Sequence, residues 1–136
     1  MPHRSQTYSV WPEAEKTACF SAATRTGELL FIAGTISVDE QFNPVSQYDM
    51  RAQLENVYRQ IGKTLADHGV GFDAVMKETI FVTDLQAFGA ANQVRVDVYR
   101  DTRPPAAAAV QVSQLWYPGI MVEIEAIADL SKQRKG

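Results

Sequence analysis

The sequence has few of the residues that build metal centres, nucleophilic triads and disulfides. Its 136 residues include one cysteine, Cys19, and two histidines, His3 and His68. A single cysteine excludes an internal disulfide and is typical of proteins from a reducing compartment. The sequence contains no HExxH motif, no paired Cys/His spacing, no Walker loop and no GxGxxG motif. It therefore predicts neither a metal site nor a bound cofactor.

Long apolar runs and an excess of positive charge are also missing. No apolar stretch approaches the roughly 18 residues that a membrane-spanning helix needs. The N-terminus lacks the apolar core of a secretory signal, so a cytoplasmic location is expected. The formal net charge of −3 argues against a nucleic-acid-binding surface, which normally carries clustered Lys and Arg. The one basic cluster belongs to residues 130–136, which are interpreted as a flexible tail.

The apolar residues that are present suffice for one folded domain over residues 1–136. A hydrophobic content of 46% is ordinary for a soluble globular protein of this length. Residues 1–16 are polar and contain two prolines, which predicts an N-terminal arm or a short edge strand. Residues 25–28, which include Gly27, predict a turn between the strands at residues 17–24 and 29–35. Apolar runs and alternation predict strands at residues 17–24, 29–35, 75–85, 107–112 and 121–127.

Two amphipathic helices are predicted between these strands. The first begins after Asp49, a suitable N-cap, and ends at Gly69, which suits the position after a helix. His68 in its last turn is interpreted as a partner of the helix dipole. The second helix covers residues 88–100. The apolar stripe of the first comprises Met50, Leu54, Val57, Ile61 and Leu65, and that of the second comprises Phe88, Ala91, Val94 and Val98.

The order of these elements favours an α+β fold, with one sheet backed by two helices on one face. The opposite face of the sheet is then bare, although it carries Phe81 and other apolar groups. A surface of this kind is normally buried against a partner. We therefore expect the chain to oligomerise through the sheet, with binding sites in the clefts between subunits.

Residues 104–128 predict two buried strands joined by a turn at residues 117–119. In the second strand Glu123 and Glu125 share one face with two apolar side chains. If that face meets only water, both carboxylates are simply solvated. If a partner covers the face, at least one carboxylate becomes a buried acid with a tunable pKa.

Few residues remain as candidates for catalysis or ligand binding. They are one acid, Glu123 or Glu125, the amide of Asn92, Gly34 on a buried strand, and the aromatic ring of Phe20. Gly34 predicts a bulge or a close approach to the backbone. Asn92 has an alternative role in a hydrogen bond to a neighbouring loop. The set suits water activation and proton transfer on a small polar metabolite.

Four further residues have side chains that are able to react or to stack on a ligand, but a structural role is preferred for each of them. Cys19 lies among small residues of a predicted strand and is interpreted as a buried small hydrophobe. Trp11, Trp116 and Tyr117 are able to stack a planar ligand, and a contact in the core or between subunits is the preferred interpretation.

Several segments resemble the YjgF or Rid family of reactive intermediate deaminases, also labelled endoribonuclease L-PSP-like. They are LLFIAGT, TIFVTDLQAF, PPAAAAVQV and VEIEAIA, and the resemblance covers residues 17–129. It implies a chorismate-mutase-like fold and a homotrimer with a barrel-like core and three small-molecule sites in the subunit clefts. It also implies hydrolysis of enamines and imines to 2-oxo acids and ammonia.

The same resemblance implies a role for each of five residues. Glu123 corresponds to the acid that acts on the attacking water. Phe20 stands where the family usually has a tyrosine, and Ala33 and Gly34 correspond to the strand that lines the pocket. Asn92 corresponds to the asparagine on the helix near the site.

One part of the family pattern is absent. Deaminating members have a P-x-R-[ST] pattern, in which the arginine binds the substrate carboxylate. Alignment on residues 110–112 places Ala107 at the arginine position and Ala109 where Cys or Thr is common. Loss of such a guanidinium costs on the order of 3 kcal/mol in anion affinity. Arg25 and Arg103 are the candidates to replace it, although neither lies at the aligned position.

Two hypotheses of function remain open at this point. The chain is a deaminase-type hydrolase that acts without the carboxylate clamp or supplies it from another arginine. Alternatively, it binds a neutral or aromatic metabolite without turnover, in a drier pocket made by residues 106–109 and Phe20. Ribonuclease activity rests on the family label alone, and the acidic chain argues against it.

Overall fold

The fold of this computed structural model, which describes residues 6–132, is built on one mixed sheet. Its strands are β1 Gln6–Tyr8, β2 Ala23–Thr26, β3 Leu29–Thr35, β4 Val75–Val82, β5 Ala106–Gln111 and β6 Val122–Asp129. Their spatial order is β1-β2-β3-β6-β4-β5. The β4–β5 pair is parallel and the other pairs are antiparallel. The helices are α1 Pro12–Ala18, α2 Met50–Asp67, α3 Leu85–Ala91 and α4 Gln93–Val98.

Helix α2 has the ends and the buried stripe that its sequence predicts. The Asp49 carboxylate accepts a hydrogen bond from the Ala52 N–H at 3.0 Å, which satisfies an end group of the helix. Gly69 follows the helix with φ of 76°, and the Val70 N–H bonds back to the Leu65 carbonyl at 3.1 Å. The stripe residues are all buried. Helix α2 therefore covers one face of the sheet.

The second predicted helix is present as two shorter ones. It begins at Leu85 rather than Phe88, because the Asp84 side chain caps it by accepting from the Ala87 N–H at 3.0 Å. The helix is interrupted at Asn92, which separates α3 from α4. The predicted stripe still packs against the core. The prediction of helices on one face of a mixed sheet is confirmed.

The other face of the sheet has no layer against it in one chain. Strand β3 alternates, so that Leu30 and Ile32 are buried while Leu29 and Phe31 are 45% and 39% exposed. The prediction that β3 is buried on both faces is therefore wrong for the single chain. We call this surface the bare face. It also carries Lys77, Thr79, Phe81, Glu123, Glu125 and Ile127, which pair across β4 and β6.

The N-terminal part differs from the prediction of a strand at residues 17–24. Helix α1 covers the first residues of that range, and the strand begins only at Ala23. The helix is short and is held by Glu15, whose carboxylate accepts from the Trp11 N–H at 2.6 Å. Cys19 ends it with φ of 62° and is exposed, so its prediction as a buried residue is wrong. The edge strand and the turn at Gly27 are confirmed.

The C-terminal residues do not form the expected pair of adjacent buried strands. Strands β5 and β6 are not neighbours, because β4 lies between them. Strand β5 follows β4 through α3 and α4, and a connection of that kind places it parallel to β4. All six of its residues are exposed. Gly119, with φ of 79°, confirms the turn in the connection to β6.

The structure describes the predicted N-terminal arm and C-terminal tail only in part. Residues 1–5 of the predicted arm and residues 133–136 of the predicted tail lie outside the described residues. Leu130, the first residue of that tail, is buried in the core. Between residues 6 and 132, no helix is long and apolar enough to cross a membrane.

Candidate functional site

The bare face brings Glu123 of β6 onto Gly34 of β3. The register of these strands shifts between Ile32 and Thr35, so Gly34 lies at an irregularity of the ladder. A β-carbon placed on Gly34 would lie 2.3 Å from Oε2 of Glu123. The carboxylate therefore occupies space that any other residue at position 34 would fill. Both predicted roles of Gly34, a bulge and a close approach, are confirmed.

A cavity of about 260 Å³ opens beside this contact. Its walls are formed by Ala18, Phe20, Ala33, Gly34, Ile36, Phe42, Trp116 and Glu123. Phe42 is the central ring of the aromatic group, with its centroid 5.9 Å from that of Phe20 and 6.0 Å from that of Tyr117. Glu123 is the only ionisable side chain among the lining residues. The cavity thus combines one acid with apolar and aromatic walls.

The surroundings of Glu123 make its carboxyl group a weaker acid than usual. Burial raises the pKa of the Glu123 carboxyl above its ordinary value, and the neighbouring carboxylate of Glu125 raises it further. Phe81 lies opposite Glu123 on β4, and within residues 6–132 no cation forms a salt bridge with it. A carboxyl group whose pKa is raised in this way is a candidate for proton transfer to and from water or a bound molecule.

Glu125 differs from Glu123 although both lie on the bare face. Its side chain is exposed and lines a different cavity, of about 350 Å³, which also contains Lys77 and Thr79. No described glycine lies under Glu125 in the way that Gly34 lies under Glu123. The structure therefore distinguishes the two carboxylates, which the alternation of the sequence could not.

Four of the seven predicted site residues meet in one chain, and three do not. Phe20, Ala33, Gly34 and Glu123 line the same cavity. Asn92 lies at the junction of α3 and α4, in the helical layer.

Ala107 and Ala109 lie on the other side of the sheet from Glu123. They pair with Glu78 and Ile80, whose buried side chains face the helices. A site that contains Asn92, Ala107 and Ala109 together with Glu123 therefore requires a second copy of the chain.

Neither Arg25 nor Arg103, the two arginines considered for binding a substrate carboxylate, lines the Glu123 cavity of its own chain. Arg25 lies in β2 rather than in the predicted turn, and its Nε donates to the Gly27 carbonyl at 2.9 Å. Arg103 is exposed in the segment before β5.

The aromatic walls were only partly foreseen from the sequence. Trp116, whose side chain is able to stack a ligand, is 66% exposed at the cavity. Phe42 lies in the loop between β3 and α2, which no periodicity describes, and its ring packs against Trp11. Trp11, by contrast, is buried, and its Nε1 donates to the Asp39 carbonyl at 3.0 Å. His68 contacts the Thr64 carbonyl through Nδ1 at 2.7 Å, as expected for a residue at a helix end.

A second polar cluster lies on the helical side of the sheet. Glu78 of β4 is fully buried and accepts hydrogen bonds from Tyr99 Oη at 2.7 Å, Arg95 Nε at 3.0 Å and Tyr58 Oη at 3.3 Å. Burial and the Glu78 charge raise the pKa of both tyrosines. These bonds join β4 to α2 and α4, so the cluster is a structural element of the core. A charged residue in the core-facing row of β4 was the available signal for it.

These features define a small α+β protein with one half-buried acid on the uncovered face of its sheet. A sequence profile described as Endoribonuclease L-PSP matches residues 12–130. The chain belongs to this family, which is also known as the YjgF or Rid family.

Individual relatives match over most of their length. A RutC family protein of Pyrococcus horikoshii is 33% identical over 80% of this chain and 85% of its own. A mouse protein named 2-iminobutanoate/2-iminopropanoate deaminase is 28% identical over 80% of this chain and 79% of its own. A crystal structure of a YjgF/YER057c/UK114 family member from Mycobacterium tuberculosis has a TM-score of 0.78 and 30% identity, over 93% of this chain and 99% of that one.

Proposed function

We propose that this chain is a hydrolase of imines or enamines in which Glu123 moves the protons. The observation that carries the proposal is the position of the Glu123 carboxylate, which is half-buried on Gly34 in an otherwise apolar cavity. The named activity of the mouse relative supports the reaction class. The raised pKa of Glu123 suits an acid that must both take up and return a proton.

The proposed reaction needs only water as a second reactant. Water attacks the carbon of a protonated C=N group, and the new C–O bond forms while Glu123 accepts a proton from the water. Glu123 then returns this proton to the nitrogen, and the C–N bond breaks. The remaining hydroxyl proton passes through Glu123 to the departing ammonia, which leaves a carbonyl group and ammonium. One iminium ion and one water thus give one carbonyl compound and one ammonium ion. The apolar walls exclude competing water from the reacting group.

The site of this reaction is proposed to lie between copies of the chain. Three copies would cover the bare faces in a chorismate-mutase-like, cytoplasmic homotrimer. Support comes from the exposed Phe31 on that face and from β5, whose six exposed residues form an unprotected edge. A neighbouring copy would then supply Ala107, Ala109 and Asn92 to each Glu123 cavity.

A second candidate function is the binding of an apolar metabolite without turnover. It is favoured by the lining of the cavity, in which Phe20, Phe42 and Trp116 surround a single acid. It is also favoured by Ala107, which the resemblance to the family places where deaminating members have the carboxylate-binding arginine. A protein of this kind would bind its ligand whether or not Glu123 is ionisable.

Ammonium release separates these two functions. An imine is generated in the assay by an amine or amino-acid oxidase, and its hydrolysis is followed in wild type, Glu123→Gln and Glu125→Gln. Loss of a general acid–base group lowers the rate by about 10²-fold or more, so we expect that loss in Glu123→Gln alone. Glu125→Gln is the matched control, because Glu125 is exposed on the same strand. Equal rates in wild type and Glu123→Gln would refute the hydrolase.

A further inference from the structure

The charge of the Glu123 cavity indicates which ligands it accepts. Its lining contains one carboxylate and no cation, and the nearest charged group on the same strand is a second carboxylate, Glu125. The residues that a neighbouring copy is proposed to add, Ala107, Ala109 and Asn92, are uncharged. A carboxylate ligand would therefore meet repulsion without a compensating guanidinium, whereas an ammonium or iminium group would meet attraction.

The aromatic walls favour the same kind of ligand. Phe20, Phe42 and Trp116 present ring surfaces around the acid. Ring faces attract organic cations, and tryptophan does so most strongly. A volume of about 260 Å³ exceeds the roughly 150 Å³ that holds one benzene molecule. The cavity thus has room for one aromatic ring with a short cationic side chain.

Trp116 is the least buried of the three aromatic residues in the wall of the cavity. It is 66% exposed and lies in the connection between β5 and β6, where it contacts this cavity and a second one lined by Tyr48 and Tyr117. Phe42, by comparison, packs against Trp11 with ring centroids 5.3 Å apart. A large exposed indole that closes one side of a site is suited to recognise a ligand rather than to hold the fold.

We infer that the Glu123 cavity binds an arylalkyl amine or iminium that lacks a carboxylate, and that Trp116 is a specificity-determining residue for it. This inference rests on the proposed function for the location of the site, and it specifies the class of substrate. The ammonium or iminium nitrogen lies at Glu123, and the aromatic ring lies against Trp116. The reaction that supplies the iminium substrate is then the two-electron oxidation of an amine by another enzyme.

Two stable probes of equal length test the inference. 2-Phenylethylamine and 3-phenylpropanoate share a ring and a short chain but carry opposite charges. Binding to the wild-type protein is measured by calorimetry and by quenching of tryptophan fluorescence. Because the chain has two tryptophans, Trp11→Phe isolates the signal of Trp116, and calorimetry serves if that variant folds poorly. We expect the amine to bind at least about tenfold more tightly than the carboxylate.

Substitutions at Glu123 and Trp116 test whether these two residues cause the preference for the amine. Glu123→Gln should abolish the tenfold preference, Trp116→Ala should weaken amine binding about tenfold, and Trp116→Phe should retain most of it. Tyr48→Ala is the control, since Tyr48 is 76% exposed and does not line this cavity. Equal or tighter binding of the carboxylate, or undiminished amine binding by Trp116→Ala, would overturn the inference.

Turnover distinguishes a failure of the inference from a failure of the proposed function. If the amine preference holds but no imine releases ammonium, the ligand class stands and the hydrolase is refuted. If imino acids and carboxylate-free imines release ammonium at equal rates through Glu123, the hydrolase stands and the ligand class is refuted.

Discussion

The carboxylate of Glu123 lies where the side chain of residue 34 would otherwise begin, only 2.3 Å from the position of a β-carbon on Gly34. This relationship joins two strands that are distant in sequence and gives one carboxylate on the bare face a position that its neighbour Glu125 lacks. It makes Gly34 a positioning residue for Glu123. The absence of a side chain at residue 34 is thus what allows the acid to sit in the cavity.

Gly34→Ala should impair the site more than the fold. The new methyl group clashes with the end of a flexible side chain, so Glu123 rotates away from the cavity while the backbone stays in place. We expect ammonium release and 2-phenylethylamine binding to fall about tenfold or more, with a loss of less than about 1 kcal/mol in the free energy of unfolding. Enzyme assays and urea unfolding of the same sample provide both values.

Gly89→Ala is the matched control for this substitution. Gly89 lies inside α3, and a β-carbon at this position would meet no heavy atom within 4 Å apart from its chain neighbours and the backbone of its own helix. Alanine there should leave activity unchanged and stabilise the protein by roughly 0.5–1 kcal/mol. Equal activity in Gly34→Ala and Gly89→Ala would contradict the positioning role of Gly34.

Glu123 is expected to reduce stability at neutral pH. Its pKa is raised in the folded state by burial and then by Glu125, so the folded protein binds more protons than the unfolded chain between the two pKa values. The free energy of unfolding therefore falls as pH rises through that interval. Glu123→Gln removes this effect and should raise Tm at about pH 7, but not at about pH 4, where the unfolded-state carboxyl is also largely protonated.

Thermal unfolding at the two pH values tests this sign. Glu125→Gln is a useful comparison, because it removes only the charge repulsion and should give a smaller gain. It should also move the acid limb of the Glu123-dependent activity to lower pH. A Tm that falls at neutral pH in Glu123→Gln would show that the carboxylate stabilises the fold instead.

The Glu78 cluster should dominate the electrostatic contribution to stability. Glu78→Ala leaves the largely buried guanidinium of Arg95 without its carboxylate and removes the acceptor of two tyrosine hydroxyls. Breaking a buried ion pair from one side costs about 3–5 kcal/mol. The exposed pair of Arg51 and Glu55, with atoms 3.3 Å apart, is worth about 0–1 kcal/mol.

Urea unfolding of Glu78→Ala and Glu55→Ala compares the two pairs directly. We expect a much lower midpoint for the first variant and a midpoint close to wild type for the second. Equal midpoints would mean that the buried cluster contributes no more than a surface ion pair.

The sequence predicted the elements whose signals are local. Helix α2 has a long apolar stripe, a capping aspartate and a terminal glycine, and β3 is a continuous apolar run bounded by turns, so both were located well. The sequence does not predict helix α1, because the helix has only seven residues. Its N-terminal end is held by the hydrogen bond from the Trp11 N–H to the Glu15 carboxylate. The place of β5 was missed because the order of strands in a sheet is a tertiary property.

The candidate site was predictable to the extent that it lies on regular strands. Alternation placed Glu123 on the bare face, and Gly34 inside an apolar strand indicated a close approach. Phe42 and Trp116 belong to loops whose paths no periodicity describes, so their meeting at Glu123 could not be predicted. Glu78 was overlooked although it shares the core-facing row with Ile80 and Val82.

We expect other copies of the chain to cover the bare face and to form a cleft around Glu123. Sedimentation velocity at micromolar concentration measures the mass of the assembly directly. Wild type should sediment with three times the chain mass of 15.1 kDa, and Phe31→Lys should show a reduced mass with an unchanged circular dichroism spectrum. A wild-type protein that sediments as a single chain, with the bare face open to water, would rule out the proposed trimer.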